Sequence, residues 1–212
     1  MKTKLLFTFL LVLSIQYVIA QVTYNGNGNS GFTGAVGQSS MTVNDDGTTI
    51  TFNFTKGSGD FNDILVLYID TGATGRNMID SNVNDNGDPT RTAISNGDVD
   101  NTASVITFPA FFEASYAIGI STGYGGLWSI PSTGSIGNNG LPHIVSVNST
   151  MTVNTDATFS FDVDWIKLGL TNTDSFSFVG LYVSGTAWNS DEGYGEWYFR
   201  LWCYRCNFYF CF

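Results

Sequence analysis

The chain has 212 residues, 18 of them Asp or Glu against eight Lys or Arg and one His, for a formal net charge of −10. That length fits one domain plus a targeting segment. Residues 21–196 hold all 18 acids and only four bases (Lys56, Arg76, Arg91 and Lys167), leaving −14, and a surface of that sign repels nucleic acid and anionic lipid.

The first 20 residues, "MKTKLLFTFLLVLSIQYVIA", read as a secretory signal peptide. Lys2 and Lys4 form the positive region and Leu5 to Ile15 the apolar one, with Val18 and Ala20 before a cut ahead of Gln21. The apolar run is short for a membrane span, and no later stretch is longer. The mature product is therefore expected to be secreted or held at the cell surface.

From Gln21 to Glu196 the dominant hydrophobic period is two, as in strands. "SMTVNDDGTTITFNFTKG" predicts a hairpin turning at Asn44–Gly47, with Ile50, Phe52 and Phe54 on one face. "DILVLYIDT" is nearly all apolar and predicts a central strand, and a long polar loop, residues 72–100, follows it. "SVITFPA", "ASYAIGIST" and "GLWSI" are further strands. "HIVSVNSTMTVN" and "TFSFDVDW" are expected to pair, "WIKLGL" makes about one helical turn at 165–170, and "SFSFVGLYVSG" is a late strand. Short strands between turns, with almost no helical period, predict one all-β antiparallel sandwich, jelly-roll-like, over residues 21–196. Its expected core is Ile50, Phe52, Phe54, Leu65, Leu67, Ile69, Ile118, Phe159, Phe161, Val163, Phe176, Phe178 and Leu181.

The last residues, 197–212, use a different vocabulary. They hold all three cysteines (Cys203, Cys206, Cys211) and half of the arginines. Sliding the reading frame one nucleotide forward turns Trp before a T-starting codon into Gly, Tyr into Thr or Ile, and Cys into Val or Ala. The tail then regains the composition of the body, so it reads as a frameshifted final strand. The other reading is a genuine tail, in which "CYRC" would be half a zinc site or a redox pair.

Three kinds of chemistry come into question. A hydrolase triad needs a relay His, and only His143 exists; Glu is scarce (Glu113, Glu192, Glu196), so no enzyme is expected. Calcium is a candidate at "DSNVNDNGD", where Asp80, Asp85 and Asp88 offer oxygen ligands without EF-hand spacing; the competing reading is a solvated Asx-rich loop. Aromatic side chains on Gly-rich loops are the third. Tyr124 and Trp128 in "TGYGGLW", and Trp188 and Tyr194 beside Asp191 and Glu192 in "AWNSDEGYG", offer plates for sugar C–H faces and acceptors for hydroxyls. Trp128 reads equally well as core, since "LWSI" is strand-like.

The order "VLYIDT", "YAIGIS", "FDVDWIKLGL", "SFSFVGLYVS" and an acidic end loop resembles the family 9-like carbohydrate-binding sandwiches and their DOMON-type relatives, as carried by exported bacterial surface proteins. That resemblance implies a non-catalytic module binding a polysaccharide or glycan. The family's usual Pro before the turn's Trp is Asp164 here. Haem, bound by some relatives, would need axial ligands, for which only His143 and Met41, Met78 or Met151 are on offer. The alternative is a structural or adhesive surface module that binds protein or matrix.

Overall fold

The computed structural model describes residues 22–95 and 105–195, together with the backbone of 200–203 and 206–209. The expected signal peptide and the side chains of the tail lie outside the described residues. In chain order the strands begin with β1 (Thr23–Asn25), β2 (Ser40–Asp45), β3 (Thr49–Thr55), β4 (Ile64–Asp70) and β5 (Met78–Ile79). A short helix, α1 (Pro89–Ser95), precedes β6 (Val105–Thr107), β7 (Tyr116–Ser121), β8 (Tyr124–Ser129), β9 (His143–Ser146) and β10 (Thr158–Asp164). A 3-10 turn at Trp165–Leu168 leads to β11 (Ser177–Val183), β12 (Asn189–Tyr194), β13 (Arg200–Cys203) and β14 (Cys206–Tyr209).

These strands form an all-β, sandwich-like fold of antiparallel sheets. One sheet runs β1-β2-β3-β10 and faces a second, β12-β11-β4-β7-β8-β9. A smaller one, β14-β13-β6-β5, completes the set. The expected hairpin is β2–β3, with Val43 opposite Phe52 and Met41 opposite Phe54. Phe52 stacks on Phe161 and Phe54 on Phe159 across the β3–β10 pair, at centroid separations of 4.9 and 4.6 Å. Each buried Phe contributes roughly 1.5–3 kcal/mol of transfer free energy.

β4 is apolar at nearly every position because its sheet is covered on both faces. Leu65, Leu67 and Ile69 enter the core between the two large sheets. Ile64, Val66 and Tyr68 point the other way, into a second core closed by Ala93 and Ile94 of α1 and by Ile79, Ile106, Phe108 and Phe112. A strand buried twice has no polar face to alternate with. The Tyr68 hydroxyl keeps a partner in this second core, donating to the Ile94 carbonyl at 2.7 Å. The expected core residues are all buried or packed against a core, but Leu181 sits in the second one; it is Phe178 and Tyr182 of β11 that face the first.

Three expectations need correction. The "HIVS" and "TFSFDVD" strands do not pair: β9 adds to β8 in one sheet and β10 to β3 in the other, and a bridge at Ser149–Phe161 joins the segments. Residues 72–100 are not all loop, since they carry β5 and α1. The helix has a local cause: the Asp88 carboxylate accepts the N–H groups of Thr90 and Arg91 at 2.9 Å, and Pro89 fills the first helical position, where no N–H is needed. Lastly, "NSDEGY" is not a loop but β12, paired with β11. The short turn near 165–170 is present, closed by Gly169 at φ +70°, with the Trp165 indole donating to Asp45 at 2.8 Å.

Candidate binding cleft

Several loops converge where β4 begins and β7 and β11 end. The β7–β8 hairpin turns in two residues through Gly123 at φ +76° and sets Tyr124 at the sheet end, 43% exposed. The β11–β12 hairpin is tied by Ser184, whose Oγ accepts from the N–H groups of Thr186 and Trp188. Ala187 adopts φ +65° there, an uncommon conformation for a residue with a Cβ, and the next residue, Trp188, is 62% exposed. Between these hairpins lies a cleft of about 490 Å³, lined by Asn62, Asp63, Asp88, Ser121, Tyr124 and Gly185 among others.

Asp63 is the distinctive acid of the cleft. Burial, then the negative charge of Glu192, hold its carboxyl above the usual carboxylate range. Its backbone N–H donates to the Tyr182 hydroxyl at 3.0 Å, which fixes the entry to β4. Asp88 is engaged on both oxygens, one by the first turn of α1 and the other by Arg91 Nε at 3.0 Å. What the cleft offers is an aromatic face and fixed hydrogen-bonding groups, the layout of a recognition site.

The sequence-derived residues divide sharply. Tyr124 and Asp88 line the cleft, and Trp188 stands on the hairpin whose Gly185 lines it. Trp128, by contrast, is 1% exposed and belongs to the second core. Its ring lies over Gly126, where an added Cβ would come within 2.5 Å of Cη2, so the second glycine of "YGGLW" makes room for an indole rather than freeing a loop. Tyr194 is buried too, its hydroxyl against Ser39 Oγ, and burial pushes its phenol up.

Glu192 turns inward and Asp191 lies nearer the surface, and both bond the chain's own N-terminal loop. Glu192 is 1% exposed. Its Oε1 accepts from Phe32 and Gly34 N–H at 2.6 and 3.0 Å, and its Oε2 from Val36 and Gly37 at 2.8 and 2.9 Å. Thr33 and Gly34 at φ +77° and +85° curl the backbone so that these donors converge, an anion nest filled from within. Asp191 accepts Gly31 N–H on Oδ1, and its carbonyl accepts both Asn27 and Asn29 amides. Neither carboxylate is left facing the cleft.

The residues expected to bind calcium do not fit one. All four acceptor positions of buried Asp85 are filled: Gly87 and Asn139 N–H on Oδ1, Leu141 N–H and Arg91 Nη1 on Oδ2. Burial opposes ionisation here, but those hydrogen bonds prevail and hold Asp85 below the usual range. Arg91 also reaches Asp88, so a guanidinium occupies the place between the two acids that an ion would take. Asp80 closes a local turn on Asn82. Among the described residues no group of three or more His, Cys, Asp or Glu is arranged to hold a metal.

For Asn62 and Asp63 the sequence carries one signal, their position just before the central strand, which sets them at the end of the sheet. Arg91 was overlooked as a counter-charge because its partners are three and six residues away around a turn. Comparison with family models, curated proteins and solved structures returned no match. Among the described residues no helix is long and apolar enough to cross a membrane.

Proposed function

We propose that this protein is a secreted, non-catalytic carbohydrate-binding module that receives a polysaccharide chain at the end of its six-stranded sheet. The observation that carries the reading is the cleft itself. Half-exposed Tyr124 lines it, exposed Trp188 stands on a hairpin that borders it, and Asn62, Asp63 and Ser121 supply acceptors and donors. Aromatic faces cover sugar C–H surfaces while amides and carboxylates exchange bonds with hydroxyls. The binding set is thus Tyr124, Trp188, Asn62, Asp63 and Ser121, which keeps two of the six residues read from sequence.

Retention on insoluble polysaccharides tests this directly. Trp188→Ala, at an exposed position, leaves the fold intact and reduces retention on the binding glycan at least fivefold. Binding to no polysaccharide at all sinks the proposal. It then favours the alternative, a structural or adhesive module, for which β9, the end strand of its sheet with Ile144 exposed, is the natural contact.

A further inference from the structure

Asn62 and Asp63 are consecutive in the wall of the cleft, and each is left with one kind of hydrogen bond to make. The Asn62 amide is oriented by a neighbour. Its Oδ1 accepts from Asn154 Nδ2 at 2.6 Å. Asn154 is itself fixed: its carbonyl accepts Phe61 N–H at 2.8 Å, and the Asp156 carboxylate just beyond it accepts from Thr152 N–H, Thr152 Oγ1 and Val153 N–H. With the oxygen turned to Asn154, the NH2 is the end that Asn62 has to offer, and among the described residues nothing accepts from it.

Asp63 is the converse. Its backbone N–H is spent on the Tyr182 hydroxyl, but among the described residues nothing donates to its carboxylate. Burial and the charge of Glu192 both act against the ionised form. Asp88, the other acid of the cleft, is paired with Arg91 at 3.0 Å, and Asp63 has no such partner among the described residues. A half-buried acceptor without a donor is stabilised by a ligand that supplies one.

The two residues together ask for an acceptor at Asn62 and a donor at Asp63. A hydroxyl is both. A carboxylate accepts but donates nothing, and it brings one more negative charge beside Asp63 and Glu192. An ammonium donates but accepts nothing. Neighbouring hydroxyls of an uncharged sugar satisfy both residues, with the Tyr124 ring available to a C–H face.

We propose that the cleft selects uncharged glycans, with Asn62 as donor and Asp63 as acceptor, and that Asp63 is the residue that rejects polysaccharides bearing carboxylates. This rests on the carbohydrate reading and goes beyond it in naming the class of sugar and the residue that sets it.

The test is retention of the protein on cellulose, chitin and starch beads, each unmodified and with its primary hydroxyls oxidised to carboxylates. Whichever polymer holds the protein, its oxidised form holds it at least about fivefold less tightly at low salt, and the gap narrows at high salt. Asp63→Asn keeps an acceptor, removes the charge and brings the two forms within about twofold of each other, with retention on the unmodified polymer intact. Asp60→Asn, which removes an exposed charge of the same loop outside the cleft lining, leaves the gap as it was. Asn62→Asp still accepts from Asn154 but has no donor for the ligand, and it weakens retention on the unmodified polymer about two- to tenfold, the range of one hydrogen bond. Equal or stronger retention on the oxidised form overturns the proposal and leaves the carbohydrate reading standing. A gap that closes as far in Asp60→Asn as in Asp63→Asn overturns it too, because the acidic surface as a whole is then the cause. Full retention in Asn62→Asp does the same by removing the donor. Retention by no polymer in either form overturns it together with the carbohydrate reading.

Discussion

Replacing Glu192 by Gln isolates the carboxylate that closes the fold, since the two side chains share a shape. In the protein four backbone N–H groups converge on the two oxygens. Gln keeps one oxygen and turns an NH2 toward the other pair of donors. Two N–H groups then lose their acceptor, each at about 1–3 kcal/mol when buried, so the substitution destabilises by about 4 kcal/mol. Domains hold about 5–15 kcal/mol in all, which makes this a large loss. The assay is urea unfolding followed by tryptophan fluorescence. With an m-value of about 2 kcal/mol/M, the midpoint falls by about 2 M. A second readout is Asp63, whose carboxyl is pushed up partly by the charge of Glu192 and titrates at lower pH in the variant. A midpoint shift below about 0.5 M, or glycan retention lost without a stability change, refutes the assignment of Glu192 as a structural anion.

Asp85→Asn removes the charge facing Arg91 and destabilises by about 3 kcal/mol, as for a broken buried pair, whereas a chelator leaves the wild-type melting temperature unchanged. Asp85 is held low, so its stabilising contribution is present above the unfolded carboxylate pKa and is lost as pH falls through the folded value; acid melts of wild type and Asp85→Asn converge there. Asp63 has the opposite sign: its folded pKa is raised, so ionisation above that value weighs against folding, and Asp63→Asn raises the melting temperature at pH 7 but not near pH 3. Gly126→Ala drives a methyl into the Trp128 ring and destabilises by about 1–3 kcal/mol in thermal melts.

The sandwich was legible because its inner faces are written in aromatic and aliphatic residues at period two. Ile50, Phe52 and Phe54 face Phe159, Phe161 and Val163 in register. β12 escaped the same reading because its inward positions are Ser190, Glu192 and Tyr194. A buried carboxylate looks like surface until its donors are known, and those lie some 155 residues earlier in the chain. Tyr194 reads from sequence as a loop aromatic, and Trp128 equally as loop or core, for a related reason: glycine beside an aromatic residue signals either a turn or room for a ring, and the register decides which. The pairing of β9 and β10 failed because alternation gives each strand a face but not a sheet. Helix α1 had both its signals in "DP", and its seven residues were too few for a helical period to emerge.

The contact between residues 27–37 and 190–194 joins nearly the first and nearly the last of the described sandwich. Until Glu192 is in place, the amides of Phe32, Gly34, Val36 and Gly37 have only water to bond. The pairing of β3 with β10 likewise waits for a strand more than a hundred residues downstream. A chain emerging N-terminus first therefore carries its opening loop as an unfinished clasp until β12 has been made, in a topology whose long-range contacts make folding slow.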